Sequence, residues 1–202
     1  MPLSDLTPAD RHRQIAGGFT ARVQGAKDWD SPAPVDGWTA RDVVRHLVEW
    51  LPGFLGSSAT LPPGPSVDDD PAGAWQAHAD GVQALLDDPA AAQRTFTNPH
   101  IGEMPLAYAI DRFYTSDVFM HTWDLARATG QDDRLDPEFS AQLFGGMESM
   151  EQIIRSSGQY GPRVAVPDDA DAQTKLLGFI GRDPDWKPGE AATRTGSANP
   201  EG

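Results

Sequence analysis

The sequence predicts an all-α protein, a helical bundle followed by short extra helices toward the C-terminus. Three observations predict it. Apolar residues recur at helical spacing over several long stretches. No run alternates apolar and polar residues as a half-buried strand would. The 20 glycines and 18 prolines gather at 31–37, 52–73, 158–167 and 181–202, so they separate helical blocks without interrupting them.

The first helix is expected from about Thr7 to Ala26, with Thr7 as N-cap and Pro8 in the first turn. A Pro-rich stretch from Ser31 to Gly37 ends it. A second helix starts at Thr39, where Thr39-Ala40-Arg41-Asp42 resembles a capping box with Asp in place of Glu. It should break near Pro52-Gly53. Residues 56–71 read as a loop. A third helix follows from about Ala72 to Asp87, and Pro89 to Met104 reads as irregular or briefly extended around Arg94-Thr95-Phe96-Thr97. The fourth and longest helix runs from about Pro105 to Thr129, where Gly130 supplies a left-handed stop. A fifth follows Asp136-Pro137 to about Arg155, and a short sixth spans Ala170 to Ile180. Residues 1–186 should form the bundle. Residues 187–202 should form a disordered tail, because they contain almost nothing to bury.

A chain of 202 residues with 39% hydrophobic content is long enough for one domain with a real core. Its net charge of −14 repels the DNA backbone and anionic lipid, so neither a nucleic acid nor a membrane is an expected partner. The same acidic excess requires no function beyond solubility. Cysteine is absent. That excludes disulfides, thiolate-held zinc, iron–sulfur clusters and a protein thiol nucleophile, and leaves imidazole and carboxylate as metal ligands. The polar N-terminus has no apolar signal core, and no apolar run reaches membrane-spanning length. The expected location is cytoplasmic.

The fourth helix carries the chemistry. Advancing about 100° per residue, its inward stripe collects Leu106, Ile110, Phe113, Met120 and Ala128. Asp117, His121 and Asp124 fall on that same stripe, while Tyr108, Arg112, Thr115, Phe119 and Ala126 face the other way. An ionisable group among core residues must be paired, neutralised or bound to a cation. Asp117 and His121, at i and i+4, can offer two ligands to one ion, the logic of the His-Glu-x-x-His motif. His46 is the best third ligand, because it lies mid-helix among Val43, Leu47 and Trp50. Two imidazoles and one carboxylate suit zinc, nickel, iron or manganese, with a position left open. Asp124 and Asp42 are candidates to orient the imidazoles from behind. The spacing equally allows a hydrogen-bonded core His46 and a simple Asp117–His121 pair without metal. A two-metal variant would add Glu49 and Asp124, through His46-x-x-Glu49 and His121-x-x-Asp124. His12, His78 and His100 read as surface residues. Trp50, Phe54 and Met120 could wall a pocket, and Arg45 or Arg112 could attract an anion.

Two segments add a resemblance. The stretch from Asp28 to Leu47, closing on Arg41-Asp42-Val43-Val44-Arg45-His46-Leu47, resembles the start of a DinB-like family. That family includes the metal-binding domain of mycothiol-dependent maleylpyruvate isomerase. Asp117-Val118-Phe119-Met120-His121-Thr122-Trp123-Asp124-Leu125-Ala126-Arg127-Ala128-Thr129-Gly130 resembles its second signature. The closing stretches, Gly161 to Pro167 and Leu176 to Trp186, are similar to an actinomycete branch of metal-binding proteins within it. The resemblance spans about residues 5 to 186. It implies a DinB-like four-helix bundle holding a divalent metal, usually zinc or nickel, on His46, His121 and the residue four before the latter. In the isomerase that residue is glutamate; here it is Asp117, one methylene shorter. The chain is too short for the isomerase's C-terminal α/β domain, so maleylpyruvate specificity is not implied. What is implied is a transferase or isomerase that uses a low-molecular-weight thiol such as mycothiol on a small electrophile, with a homodimer as the family-like assembly. A non-catalytic small-ligand or metal-binding module and a metal-free structural bundle are the rival readings.

Overall fold

The structure, a computed structural model, describes residues 1–156 and 160–189. Four helices form a closed ring. They are α1 (Pro8–Gly25), α2 (Ala40–Leu55), α3 (Pro71–Asp87) and a long helical rod made of α5 (Leu106–Ala109), a π-helical stretch (Ile110–Thr115) and α6 (Ser116–Thr129). α1 packs on α3 and α6, and α2 packs on the same two. The antiparallel hairpin β1 (Thr95–Asn98) and β2 (Gly102–Pro105) closes one end, after the single turn α4 (Pro89–Ala92). α7 (Pro137–Glu148), α8 (Glu151–Ser156) and α9 (Ala172–Phe179) follow, with α9 packed along α7. Among the described residues, no helix is long and apolar enough to cross a membrane. The fold is all-α and DinB-like, as expected.

The helix starts obey local chemistry. Thr7, Thr39, Asp70, Asp88, Asp136 and Asp171 each accept a backbone N–H with the side chain, which satisfies one of the four donors a helix start leaves open. At Thr39 the box is complete, because Asp42 Oδ2 also accepts from Thr39 N at 2.9 Å. Gly130, at φ 68°, ends α6 in a Schellman arrangement, with Gln131 N donating to Ala126 O at 2.9 Å.

Several expectations need correction. α2 does not break at Pro52 but runs on to Leu55. Leu51 and Leu55 are buried to within 1% of complete burial, and that burial outweighs the one backbone hydrogen bond Pro52 cannot make. The irregular stretch after Pro89 contains a short hairpin, with Phe96 fully buried against Phe54 at a ring distance of 4.7 Å. The fifth helix is divided at residues 149–150 into α7 and α8. Of the expected tail, residues 187–189 are exposed and 190–202 lie outside the described residues.

His12 and His78 are not on the surface. His12 is completely buried and His78 is 5% exposed, both against the Tyr114 ring at 6.1 and 5.5 Å. Their faces of α1 and α3 form the seam where Phe19 meets Trp75 at 4.4 Å. The one-sided stripe on the fourth helix is also incomplete. Thr115, Phe119 and Ala126, expected outward, are buried, while Phe113 is only half-buried. The π-helical turn before Ser116 shifts the phase of everything ahead of it. Beyond it α7 covers the far face, where Phe139 meets the Phe119 ring edge-on at 4.9 Å. A helix enclosed on all sides has no polar face to read.

Candidate metal centre

His46 stands in the second turn of α2 and is half-buried, with its side chain 32% exposed. The capping box at Thr39 fixes where α2 begins, and the buried Val43, Val44, Leu47 and Leu51 fix its rotation, so His46 turns toward α6. Asp117 and His121 project from the first two turns of α6, immediately after the π-helical stretch.

The three side chains meet. His46 Nε2 lies 2.9 Å from Asp117 Oδ2, and His121 Nε2 lies 3.5 Å from Asp117 Oδ1. One ligand atom from each residue falls within 4.8 Å of the others. Ligands held at about 2.1 Å around a tetrahedral ion are about 3.4 Å apart, so the cluster has the size a divalent cation needs. Trp50 Nε1 donates to Asp117 Oδ2 at 3.0 Å and fixes the carboxylate from the α2 side. Trp38 covers the imidazoles, with its ring 5.2 Å from His46 and stacked on His121 at 5.8 Å. A tight turn delivers it: Gly37 adopts φ 76°, and Ala33 N donates to Trp38 O at 2.8 Å.

Behind the cluster, His121 Nδ1 is 2.8 Å from Asp124 Oδ2. Arg182 grips the same carboxylate with both prongs, Nε to Oδ1 at 2.9 Å and Nη2 to Oδ2 at 3.0 Å. Burial alone would raise Asp124, but the Arg182 guanidinium and His121 outweigh it and bring the carboxyl down to about 2. A carboxylate at Asp124 can only accept, so His121 donates through Nδ1, and Nε2 is the nitrogen that faces Asp117. Asp117 behaves similarly. Burial pushes it up, and His121, His46 and the Trp50 N–H together hold it below the usual carboxylate range. The donor set therefore fits a cation: two imidazole nitrogens and an anionic oxygen, with one imidazole anchored through its far nitrogen. Burial, with Asp117 nearby, pushes the Tyr160 phenol up.

Other expected residues lie elsewhere. Asp42 does not support His46, since its carboxylate is taken by the Thr39 cap and by Arg45 Nε at 3.3 Å. Glu49 is exposed and faces Arg45 at 3.6 Å, and Asp124 belongs to Arg182, so among the described residues this pair does not provide a second metal site. Arg45 is held by Asp68 at 2.7 Å and is not free to draw in an anion. Arg112 lies over the Phe113 ring. Trp50 does border the cluster, whereas Phe54 packs on Phe96 and Phe113 and Met120 is core. Trp38 and Arg182 were not expected at the site. A cleft of about 490 Å³ between α7, α9 and residues 163–168 is lined by none of the three converging residues.

Comparison with known proteins supplies the lineage. A model of the mycothiol maleylpyruvate isomerase N-terminal domain matches residues 12–126, a span that includes His46, Asp117, His121 and Asp124 but ends before Tyr160 and Arg182. Two uncharacterized proteins of Mycobacterium tuberculosis, one from strain CDC 1551 / Oshkosh and one from strain ATCC 25618 / H37Rv, are each 28% identical over 184 residues. The alignment covers 88% of this chain and 98% of theirs. No solved structure is significantly similar. With more than half of its length matched, the chain belongs to the family of the mycothiol maleylpyruvate isomerase N-terminal domain.

Proposed function

We propose that this protein binds one divalent metal ion through His46 Nε2, a carboxylate oxygen of Asp117 and His121 Nε2, and uses it to act on a low-molecular-weight thiol such as mycothiol. The observation that carries the reading is the convergence of these three ligand atoms within 4.8 Å. Zinc and nickel both suit the nitrogen–oxygen donor set. Such an ion supplies Lewis acidity, which lowers the pKa of a thiol bound to it.

The chain's own groups do the rest. Trp50 holds Oδ2 of Asp117 and so fixes which oxygen points at the shared centre, which a side chain one methylene shorter than glutamate needs. Asp124 keeps the proton of His121 on the far nitrogen. Trp38 shields the imidazoles on one side, and the 32% exposure of His46 leaves an approach for a thiol and a small electrophile. Thiol addition or transfer, as a transferase or isomerase would perform it, is the reaction class that fits. A cytoplasmic location and a homodimer belong to the same proposal by family analogy.

Metal analysis of purified wild type, His46→Ala and His121→Ala tests the site. About one equivalent is expected in wild type and little in either variant; equal content in all three would remove the metal. Conjugation assays pairing low-molecular-weight thiols with a panel of electrophiles test the chemistry. Metal-dependent turnover supports the enzyme, whereas a metal-loaded protein without turnover favours a non-catalytic ligand-binding module.

A further inference from the structure

We infer that Arg182, in the segment that follows the matched domain, is a positioning residue of the metal centre: it fixes the Asp124 carboxylate so that His121 turns Nε2 toward His46 and Asp117. The inference rests on the metal reading above and extends the centre beyond residues 12–126.

The backbone aims Arg182 at this target. α9 ends in a Schellman motif, with Gly181 N donating to Gly178 O at 3.2 Å and Arg182 N donating to Leu177 O at 2.9 Å. Gly181 adopts φ 84°, a conformation L side chains rarely adopt, and a Cβ there would meet Pro162 O at 3.0 Å. The chain reverses at that glycine and returns along α6, where Arg127 Nη2 donates to Pro184 O at 2.9 Å. Val164 N donates to Gly178 O at 2.9 Å and holds the preceding loop against α9. At Gly178 a Cβ would lie 2.8 Å from Val164 O, so this docking also requires glycine. The segment thus reaches α6 by a defined path.

The contact fits the role. Asp124 is completely buried, and Arg182 is only 15% exposed at its side chain. The guanidinium donates twice to the carboxylate, which leaves an Oδ2 lone pair for one further donor. His121 Nδ1 fills that place at 2.8 Å. A carboxylate clamped by two N–H groups cannot rotate, so the imidazole bonded to it cannot flip. Outer groups that hold a ligating histidine in this way alter metal affinity by roughly 10–100-fold when they are removed.

The Asp124–Arg182 pair also contributes to packing, so the test reads the imidazole itself. Nitrogen-15 NMR of metal-free wild type should show His121 protonated at Nδ1; protonation at Nε2 would overturn the proposal. Arg182→Gln should give a mixture of tautomers and bind zinc about 10–100-fold more weakly in competition with a chromophoric chelator. A folded Arg182→Gln with wild-type tautomer and wild-type zinc affinity would also overturn it. Asp124→Asn offers an amide N–H to Nδ1 while Arg182 holds the amide oxygen, and should drive His121 to the Nε2-protonated form. Should Arg182→Gln not fold, by circular dichroism, the wild-type and Asp124→Asn tautomers decide. If wild type binds no zinc, the metal reading fails, while the metal-free spectra still decide the role of Arg182.

Discussion

Lowering the pH from 7 to 5 offers protons to two imidazoles that the fold keeps neutral. His12 and His78 lie in the α1–α3 seam, and neither Nε2 has a hydrogen-bond partner among the described residues. Burial pulls His78 down to about 4, with His12 adding a little repulsion. Burial lowers His12 as well, against a partly opposing bond between its Nδ1 and Gln83 Oε1 at 2.9 Å. The unfolded chain takes up a proton near the ordinary value of about 6.5. Between that value and 4 the unfolded state therefore binds more protons than the folded state, and stability falls as the pH falls. For His78 the loss between pH 7 and 5 integrates to about 2 kcal/mol, and His12 adds to it in the same direction. Urea unfolding of metal-free protein at both pH values measures this. His78→Phe keeps a ring beside Tyr114, where the two rings are 5.5 Å apart, but removes the titration. Wild type should lose about 2 kcal/mol more than the variant. Equal losses would refute the reasoning, since they would mean that His78 is protonated in the folded state at its ordinary pKa.

Thr39→Ala removes both halves of the cap that starts α2, and should lower stability by about 1 kcal/mol in chemical unfolding; an unchanged midpoint would deny the cap its role. Arg11 pairs with Asp111, which is 8% exposed, and also donates to the backbone oxygens of Leu3, Ser4 and Leu6. Arg11→Met should cost about 3 kcal/mol, because it strands a buried carboxyl. Adding Asp111→Asn should recover part of that loss in the same urea titrations, and no recovery would show that the backbone contacts dominate.

The buried histidines show where residue-level reading falls short. His12 lies on the stripe Ile15, Ala16, Phe19 and Val23, and His78 on the stripe Ala74, Trp75, Val82 and Leu86. The periodicity thus placed both inside, but Arg11 and Arg13 beside His12 gave it a polar neighbourhood. Spacing along one helix was a better guide than local polarity. The Asp42 expectation failed for the opposite reason: spacing put it one turn from His46, but the capping box already occupied its carboxylate.

Local rules in the sequence determined the helix starts, the Gly130 stop, the absence of protein thiols and the two-ligand spacing of Asp117 and His121. Each depends on residues within a turn or two of one another, so the chain carries the information directly. Only the tertiary structure decided that His46 meets Asp117, that Trp38 and Trp50 flank them, and that Arg182 reaches Asp124 from 58 residues away. Those pairings depend on how α2, α6 and the segment after α9 come to lie against one another. That arrangement is set by burial of the whole core, and no single stretch of sequence encodes it.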